Sequence, residues 1–146
     1  MELYLSFGSN LGDRKYNILK ASELLCERLD IRMLRFSDII ETEPWGFESQ
    51  DIFLNAVGVY EIPEETCDYA YKVLDEIKRI EREMGRDDVP EYDDKGKRIY
   101  HSRTIDIDIL YLGGLKMDEK RLTIPHPLME QRDFVKIPLR QVINYQ

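Results

Sequence analysis

The amino-acid sequence predicts an α+β fold, a ferredoxin-like αβ plait in which an antiparallel sheet has helices packed on it. The first observation is the order of the elements, which runs strand, helix, strand, strand, helix, strand along the chain. The second is size, because 146 residues, of which 42% are hydrophobic, are enough to bury one core. We therefore expect a single domain over residues 1–146.

The chain opens with a strand and a helix. Residues Glu2 to Phe7 alternate between apolar and polar, the period-2 pattern of a strand with one buried face, and Gly8-Ser9-Asn10 is expected to end it. A helix is predicted at about residues 12–29, opened by Asp13. The residues expected on its apolar face are Leu11, Ile18, Ala21, Leu25, Cys26 and Leu29.

Two more strands and a second helix follow. Residues 31–41, rich in Ile, Leu, Met and Phe, predict the second strand, and residues 52–60 predict the third. Pro44 and Gly46 indicate a loop between them, because proline and glycine so close together disfavour both regular structures. Pro63 starts the second helix, with two acids after it at the positive end of the helix dipole. Its expected apolar face repeats every 3.6 residues and consists of Cys67, Ala70, Tyr71, Leu74, Ile77 and Met84.

A polar segment separates this helix from the last strand. Residues 86–103 mix charges of both signs, contain Pro90 and Gly96, and show no apolar periodicity. Because structureless segments of this length inside a domain are usually functional or disordered, we expect a mobile loop at about residues 86–103. Thr104 to Leu112 predicts the fourth strand, and the prolines after it indicate only short elements.

Composition and charge exclude several classes of protein. A formal net charge of −8 argues against general nucleic-acid binding, which needs a basic face, and no apolar run is long enough to cross a bilayer. The N-terminus lacks the pattern of a signal peptide, and Cys26 and Cys67 lack disulfide or zinc spacing. We expect both cysteines to be reduced core thiols of a cytoplasmic protein, and we expect a monomer. An anionic small molecule can still bind where basic residues gather, and the arginines of residues 86–146 include Arg86, Arg98, Arg103, Arg121 and Arg132.

The fourth strand carries the most informative pattern. In a strand, residues two apart share a face, so Asp106 and Asp108 are expected to project together while the isoleucines between them point into the core. Two adjacent carboxylates repel each other unless a cation offsets them, and Mg²⁺ takes few such ligands together with water and phosphate. Arg103 lies directly upstream, where an arginine can neutralise developing negative charge. The pattern favours a metal-phosphate centre over a solvated acidic strand face.

Three blocks of sequence stand out together. They are Gly8-Ser9-Asn10-Leu11-Gly12, Arg103-Thr104-Ile105-Asp106-Ile107-Asp108-Ile109-Leu110, and Leu122-Thr123-Ile124-Pro125-His126-Pro127 followed by Arg132-Asp133-Phe134-Val135. In order and separation they resemble the motifs of 6-hydroxymethyl-7,8-dihydropterin pyrophosphokinases, over nearly the whole chain. The resemblance implies transfer of pyrophosphate from ATP to 6-hydroxymethyl-7,8-dihydropterin, which gives AMP and the pterin diphosphate in tetrahydrofolate biosynthesis.

The resemblance also implies the residues of the site. It makes Asp106 and Asp108 the ligands of two Mg²⁺ ions that bridge the ATP phosphates and the pterin hydroxyl, and it makes Arg86 and Arg103 catalytic. The residues implied to bind the pterin, several of them aromatic faces for a flat ring, are Thr42, Trp45, Phe53, Asn55, Tyr100 and Phe134. The residues implied to bind ATP are Lys78, Glu81, Arg86, Arg103, Ile109, Arg121, Thr123, His126 and Arg132.

A few positions depart from the usual family pattern. Tyr100-His101-Ser102 stands where an aromatic residue followed by Gly-Pro is common, Asp88 where a loop arginine is often found, and Lys78 where an amide is more usual. These departures concern the closing contacts of the loop at 86–103, and the implied reaction class is the same.

Two other functions are compatible with this element order, because a fold alone does not assign function. An RNA-binding module on the plait predicts aromatic motifs on the central strands and a basic sheet face, whereas the fourth strand here carries Asp106 and Asp108. A catalytically silent ligand sensor has no use for this pair of carboxylates together with the arginines. Formation of AMP from ATP in the presence of the reduced pterin distinguishes the three functions.

Overall fold

The computed structural model describes residues 1–42, 52–85, 91–92, 94–96, 98–99, 104–127 and 133–143. For Thr42, Glu91, Tyr92, Arg98, Ile99, Asp133 and Phe134 it describes the backbone alone. The elements within these ranges are β1 Glu2–Ser9, α1 Arg14–Leu29, β2 Arg32–Phe36, β3 Ile40–Thr42, β4 Phe53–Glu61, α2 Cys67–Glu83, β5 Glu91–Tyr92, β6 Arg98–Ile99, β7 Asp106–Leu112, β8 Met117–Asp118, β9 Thr123–Ile124 and α3 Asp133–Ile143.

The main sheet is antiparallel, with the strand order β2-β4-β1-β7 and with β3 paired to β4. Consecutive strands are therefore interleaved, and the sequence prediction of an αβ plait is confirmed. β1 lies in the interior of the sheet, where Leu3, Leu5 and Phe7 are fully buried. The predicted first strand is two residues too short, because β1 continues through Gly8 and Ser9 before it ends.

Helices α1 and α2 pack side by side on one face of this sheet. Asp13 caps α1 by accepting a hydrogen bond from the Tyr16 amide at 3.2 Å, and Thr66 caps α2 through the Tyr69 amide at 3.1 Å. The core between helices and sheet includes Ile18, Leu25, Ala70, Val73, Ile77, Ile80, Ile105 and Ile107.

Two details of the predicted helix faces are wrong. Leu11 precedes α1 and is 48% exposed, so it does not join the apolar face. Cys67 is exposed as well, because it is the first residue of α2 and lies beyond the edge of the core. The expectation of two core thiols therefore fails for Cys67. Cys26 is half-buried, and burial raises the pKa of its thiol.

The predicted second strand is in fact two strands. β2 and β3 are separated at Ser37, whose Oγ accepts a hydrogen bond from the Val57 amide at 2.8 Å while its own amide donates to the Val57 carbonyl at 2.9 Å. A side-chain oxygen thus takes the place of a ladder acceptor and breaks the regular pairing. The imperfect apolar alternation of this stretch is the sequence signal of that break.

Helix α3 was not predicted and covers the opposite face of the sheet. Val135, Leu139 and Val142 recur at helical spacing and pack on Val57, Val59 and Leu110. Pro138 lies inside α3, and an internal proline normally disfavours a helix because it removes a hydrogen bond and crowds the preceding turn. Burial of the apolar face outweighs this local cost.

The segment predicted as a mobile loop at about 86–103 is only partly described. β5 and β6 pair with each other, Glu91 opposite Ile99 and Tyr92 opposite Arg98. Gly96, at φ +79°, lies in the turn between them, a backbone conformation that glycine adopts without strain. The rest of the segment lies outside the described residues. Among all the described residues, no helix is both long and apolar enough to span a membrane.

Candidate active site

The candidate site lies on the α3 face of the sheet, beyond the part of that face that α3 covers. The strand register places Asn55 of β4 opposite Gly8 of β1, and Gly8 opposite Asp106 of β7. Residues directly opposite each other in an antiparallel sheet share a face, and two strand spacings separate the outer members by roughly 10 Å. Asn55 and Asp106 therefore border the same stretch of sheet surface.

Asp106 and Asp108 occupy alternate positions of β7. Both are half-buried, whereas Ile105, Ile107 and Ile109 between and beside them are buried in the core under the helices. Asp108 pairs with Ser6 of β1, one step along the strand from the pair of Gly8 with Asp106. The two carboxylates thus project from one face at adjacent positions of the same strand pair.

Gly8 leaves space between the two sides of the site. A Cβ at this position would lie 3.0 Å from Asn55 Oδ1 and 3.6 Å from the Phe53 ring. Asn55 is buried and Phe53 is half-buried, so an amide and an aromatic ring lie against the bare backbone of Gly8. Gly8 was predicted as part of a sequence motif and not as a site residue. A glycine inside a strand is a signal that a side chain or ligand approaches closely.

His126 approaches the carboxylates from the turn after β9. Its Nε2 is 3.9 Å from Asp108 Oδ1, and its backbone amide donates to the Leu110 carbonyl at 3.2 Å. The Ile124–Pro125 peptide bond just before it is cis. Thr123, in β9, is half-buried. The structure therefore brings His126 close to Asp108, and β9, which carries Thr123, contacts β7.

Glu81 and Lys78, in the last turns of α2, lie on the other side of β7. Glu81 is fully buried, and its Oε2 accepts a hydrogen bond from the backbone amide of Ile107 at 3.0 Å. Lys78 Nζ lies 3.5 Å from Glu81 Oε1. Glu81 thus contacts the strand that carries Asp106 and Asp108 from behind their face of the sheet.

Of the other two described residues expected to bind ATP, Arg121 lies on the surface and Ile109 lies in the core. Arg121 is exposed, forms an ion pair with Asp75 at 2.7 Å, and stacks over the Tyr71 ring with its guanidinium carbon 5.1 Å from the ring centre. Ile109 is buried in the core, so its side chain faces away from the Asp106 surface. Arginine over an aromatic ring is a common surface arrangement that holds the side chain in one orientation.

For several predicted site residues the structure describes the backbone alone, or the residue lies outside the described ranges. Thr42 pairs through its backbone with Phe53, and Phe134 is the second residue of α3. The predicted residues that lie outside the described ranges are Trp45, Arg86, Tyr100, Arg103 and Arg132.

The described residues contain no group of three or more His, Cys, Asp and Glu side chains that could hold a metal ion. The pair Asp106 and Asp108 remains as a source of two carboxylates on one face. Such a pair is incomplete as a closed metal cage, and it suits an ion that takes its other ligands from water and a phosphate substrate.

Comparison with known proteins decides the family. The family model described as 7,8-dihydro-6-hydroxymethylpterin-pyrophosphokinase matches residues 4–144 of the chain. The chain belongs to this family. It is 44% identical over 141 residues to the 2-amino-4-hydroxy-6-hydroxymethyldihydropteridine pyrophosphokinase of Porphyromonas gingivalis, covering 96% of this chain and 89% of that protein. The enzyme of the same name from Aquifex aeolicus is 39% identical over 140 residues (96% and 79%), and that from Bacillus subtilis is 32% identical over 139 residues (95% and 76%).

Family membership confirms the resemblance drawn from the three sequence blocks. This pyrophosphokinase is an enzyme, a transferase of folate biosynthesis that uses ATP as its co-substrate. Its small-molecule substrates are ATP and a pterin. The comparisons give no support to an RNA-binding module or a silent sensor.

Proposed function

We propose that this pyrophosphokinase binds 6-hydroxymethyl-7,8-dihydropterin over Gly8, between Asn55 and Asp106, and transfers to it the pyrophosphoryl group of ATP. The observation that carries the proposal is the row Asn55–Gly8–Asp106 across three strands, which puts an amide for ring recognition and a carboxylate for phosphate chemistry on one surface. A flat heteroaromatic ring gains affinity from aromatic faces and specificity from a few fixed polar groups.

The pterin end of the site is built around β4. Asn55 offers a buried amide, whose donors and acceptor match the ring nitrogens and carbonyl of a pterin, and Phe53 offers an aromatic face beside it. From the sequence resemblance, the other pterin contacts come from Thr42, Trp45, Tyr100 and Phe134. With the ring over Gly8, the 6-hydroxymethyl group points along the row toward Asp106.

Asp106 and Asp108 would hold two Mg²⁺ ions that enter with ATP. The two carboxylates suit Mg²⁺, because both are half-buried on one face of β7 at alternate positions of the strand. Two carboxylates also leave coordination positions for phosphate and water. Held there, Mg²⁺ would offset the negative charge of the phosphates and the carboxylates and would lower the pKa of a hydroxyl that it contacts. Neither carboxylate lies in the apolar core, where ionisation would be costly.

The transfer itself is a displacement at phosphorus. The pterin hydroxymethyl oxygen attacks the β-phosphorus of ATP, a new oxygen–phosphorus bond forms, and the bond between the β-phosphorus and the bridging oxygen of the α-phosphate breaks so that AMP leaves. Arg86 and Arg103 neutralise charge in the transition state, as the resemblance implies. The hydroxyl proton passes to an Asp106 oxygen or to water. Positioning and electrostatics account for most of the acceleration, because no covalent intermediate on the protein is needed.

The nucleotide end of the site is proposed to lie on the β9 side of Asp108. His126, at 3.9 Å from the Asp108 carboxylate, would donate a hydrogen bond to a phosphate oxygen. Arg121 and Thr123 would extend the surface that binds the anionic phosphates. Arg132 is proposed as a further ligand from sequence alone. The cytoplasmic location, the monomeric state and the absence of nucleic-acid binding also stay predictions from the sequence.

The experiment is a direct assay of the purified chain. ATP and the reduced pterin are supplied with Mg²⁺, and AMP and the pterin diphosphate are quantified by chromatography. We expect equal molar amounts of the two products, and neither product when the pterin or Mg²⁺ is omitted. Release of ADP or inorganic phosphate in place of AMP would contradict pyrophosphoryl transfer.

A further inference from the structure

The outer edge of β7 is held by a side chain. β7 is the last strand of the main sheet, so among the described residues no strand pairs with its outer side. The amides of a paired antiparallel strand alternate in direction, and the outward ones need another partner when buried. The outward amide of Ile107 donates to Glu81 Oε2 at 3.0 Å, in the buried space between α2 and β7.

Ile107 lies between Asp106 and Asp108 in sequence, and its buried side chain points to the opposite face. A hydrogen bond to its amide therefore acts on the peptide that joins the two site positions. Hydrogen bonds donated to a charged acceptor are shorter and stronger than those between neutral groups, so this contact limits how far the backbone between the carboxylates can shift.

Glu81 is itself held in place. The neighbouring residues Ile77 and Ile80 of α2 are fully buried in the core, which fixes the rotation of the helix. The other carboxylate oxygen of Glu81 lies 3.5 Å from Lys78 Nζ. A carboxylate that is completely buried is expensive unless its hydrogen bonds are made, so its presence here indicates a role beyond filling space.

We propose that Glu81 is a positioning residue, which holds β7 through the Ile107 amide so that Asp106 and Asp108 keep the separation that Mg²⁺ and the ATP phosphates require. Glu81 then acts from behind the site and does not contact ATP itself. This role differs from the ATP contact that the sequence resemblance implies for Glu81. The inference rests on the proposed role of the two aspartates. Partners that orient ligands from behind typically affect metal affinity or activity by about 10- to 100-fold.

The test compares Glu81→Gln, which keeps an oxygen for the Ile107 amide, with Glu81→Ala, which removes it. For Glu81→Ala we expect the Mg²⁺ concentration at half-maximal activity to rise about tenfold or more, and kcat to fall. Glu81→Gln should stay within about threefold of the original chain in both quantities. If Glu81 contacts ATP through its charge, both variants would instead raise the KM for ATP to a similar extent, and the proposal would be overturned.

A readout without catalysis keeps the proposal independent of the reaction. Hydrogen exchange at the Ile107 amide, followed by NMR, should accelerate about tenfold or more in Glu81→Ala and remain slow in Glu81→Gln. If the Ile107 amide remains equally protected from hydrogen exchange in Glu81→Ala, the proposal is contradicted, whether or not the enzyme forms AMP. If Glu81→Ala does not fold, Glu81→Gln alone tests the proposal. The proposal requires this variant to retain both the slow exchange of the Ile107 amide and the Mg²⁺ dependence of the original chain.

The matched control is Ile80→Val. It removes a methylene from a fully buried neighbour on the same helix and lowers stability without touching the Ile107 amide. Ile80→Val should leave the Mg²⁺ dependence unchanged. A shift in Mg²⁺ dependence equal to that of Glu81→Ala would show a general packing effect and would contradict a specific role for Glu81.

Discussion

Asn55 and Asp106 lie on opposite sides of β1, with only Gly8 between them in the register of the sheet. A Cβ on Gly8 would lie 3.0 Å from Asn55 Oδ1, tighter than ordinary van der Waals contact. The surface between this amide, proposed to recognise the pterin, and this carboxylate, proposed to act in phosphate chemistry, is thus bare backbone. A planar ligand can lie flat on it.

Replacement of Gly8 by alanine should therefore impair pterin binding first. We expect the KM for the pterin to rise about tenfold while the KM for ATP changes little, since one methyl group in a tight pocket is worth roughly 1–3 kcal/mol. Steady-state kinetics with each substrate varied in turn measures this. Gly114→Ala is the control, because its Cβ would lie 3.2 Å from a side-chain oxygen, that of Glu65, in the turn after β7. An equal loss of pterin affinity in Gly114→Ala would argue against a pocket at Gly8.

Removal of either site carboxylate should abolish most of the turnover. Asp106→Ala and Asp108→Ala are each expected to lower kcat at least ~10³-fold, about 4 kcal/mol of transition-state stabilisation, because each removes an anionic ligand for Mg²⁺. Circular dichroism should barely change. Asp118→Ala, an exposed carboxylate of β8, should behave like the original chain. Near-normal turnover of either site variant at saturating Mg²⁺ would refute the metal assignment.

In this structure Arg121 pairs with Asp75 of α2, and loss of this ion pair should strengthen ATP binding. Its ion pair with Asp75, at 2.7 Å, is exposed, and such pairs are worth roughly 0.2–1 kcal/mol. If Arg121 binds ATP, Asp75→Asn should lower the KM for ATP by about two- to fivefold. Glu23→Gln changes an exposed acid of α1 whose nearby basic group is Lys20 and not Arg121, and it serves as the control. A higher KM for ATP in Asp75→Asn would contradict this role of Arg121.

The ion pair between Glu2 and Arg35 should make stability depend on pH at the acid end. Hydrogen bonding from Arg35 lowers the pKa of Glu2 below its usual range. The stabilisation from Glu2 is therefore fully present above the pKa of the unfolded chain, roughly 4.3, and is lost as the pH falls through the lower pKa of the folded state. Glu2 is partly exposed, so the effect should be under about 1 kcal/mol.

Thermal unfolding of Glu2→Gln between about pH 6 and pH 3 tests this assignment. The variant should have a lower Tm than the original chain near pH 6, and the difference should shrink as the pH falls. Arg35 also donates to the Val142 carbonyl at 3.0 Å, so the pair ties the end of α3 to the sheet. A constant difference in Tm across this range would show that Glu2 contributes through packing and not through its charge.

The segment at about 86–103 is proposed, from the sequence, to order over the bound substrates. It has little apolar surface to bury, and bound phosphate would supply partners for its basic residues. Hydrogen exchange over residues 87–102 should slow markedly when a non-hydrolysable ATP analogue, Mg²⁺ and the pterin are added together. The apo protein with Mg²⁺ alone is the control. Equal exchange in both states would remove the closing loop from the mechanism.

Much of the fold could be predicted because its signals are local. The alternation of Leu3, Leu5 and Phe7 and the cap Asp13 each depend on neighbouring residues, and the structure has them where local rules place them. The predicted start of the second helix at Pro63 is wrong, because Thr66 caps α2 and the helix begins at Cys67. Helix α3 could not be predicted in this way. Its internal Pro138 is a local signal against a helix, and the energy that overrides it comes from burial against Val57, Val59 and Leu110, which are distant in sequence.

The sequence by itself determined the family and the residue types proposed for the site, because residue types and their order along the chain carry that information. It placed Asp106 and Asp108 on one face of a strand, since period 2 is a property of any strand. Only the tertiary structure decided which residues meet across strands. The register sets Asn55, Gly8 and Asp106 in one row, and the docking of α2 on β7 places Glu81 behind the site on the Ile107 amide. These contacts join residues up to 98 positions apart, Gly8 and Asp106, and strand register is set by packing of the whole core, which no local pattern encodes.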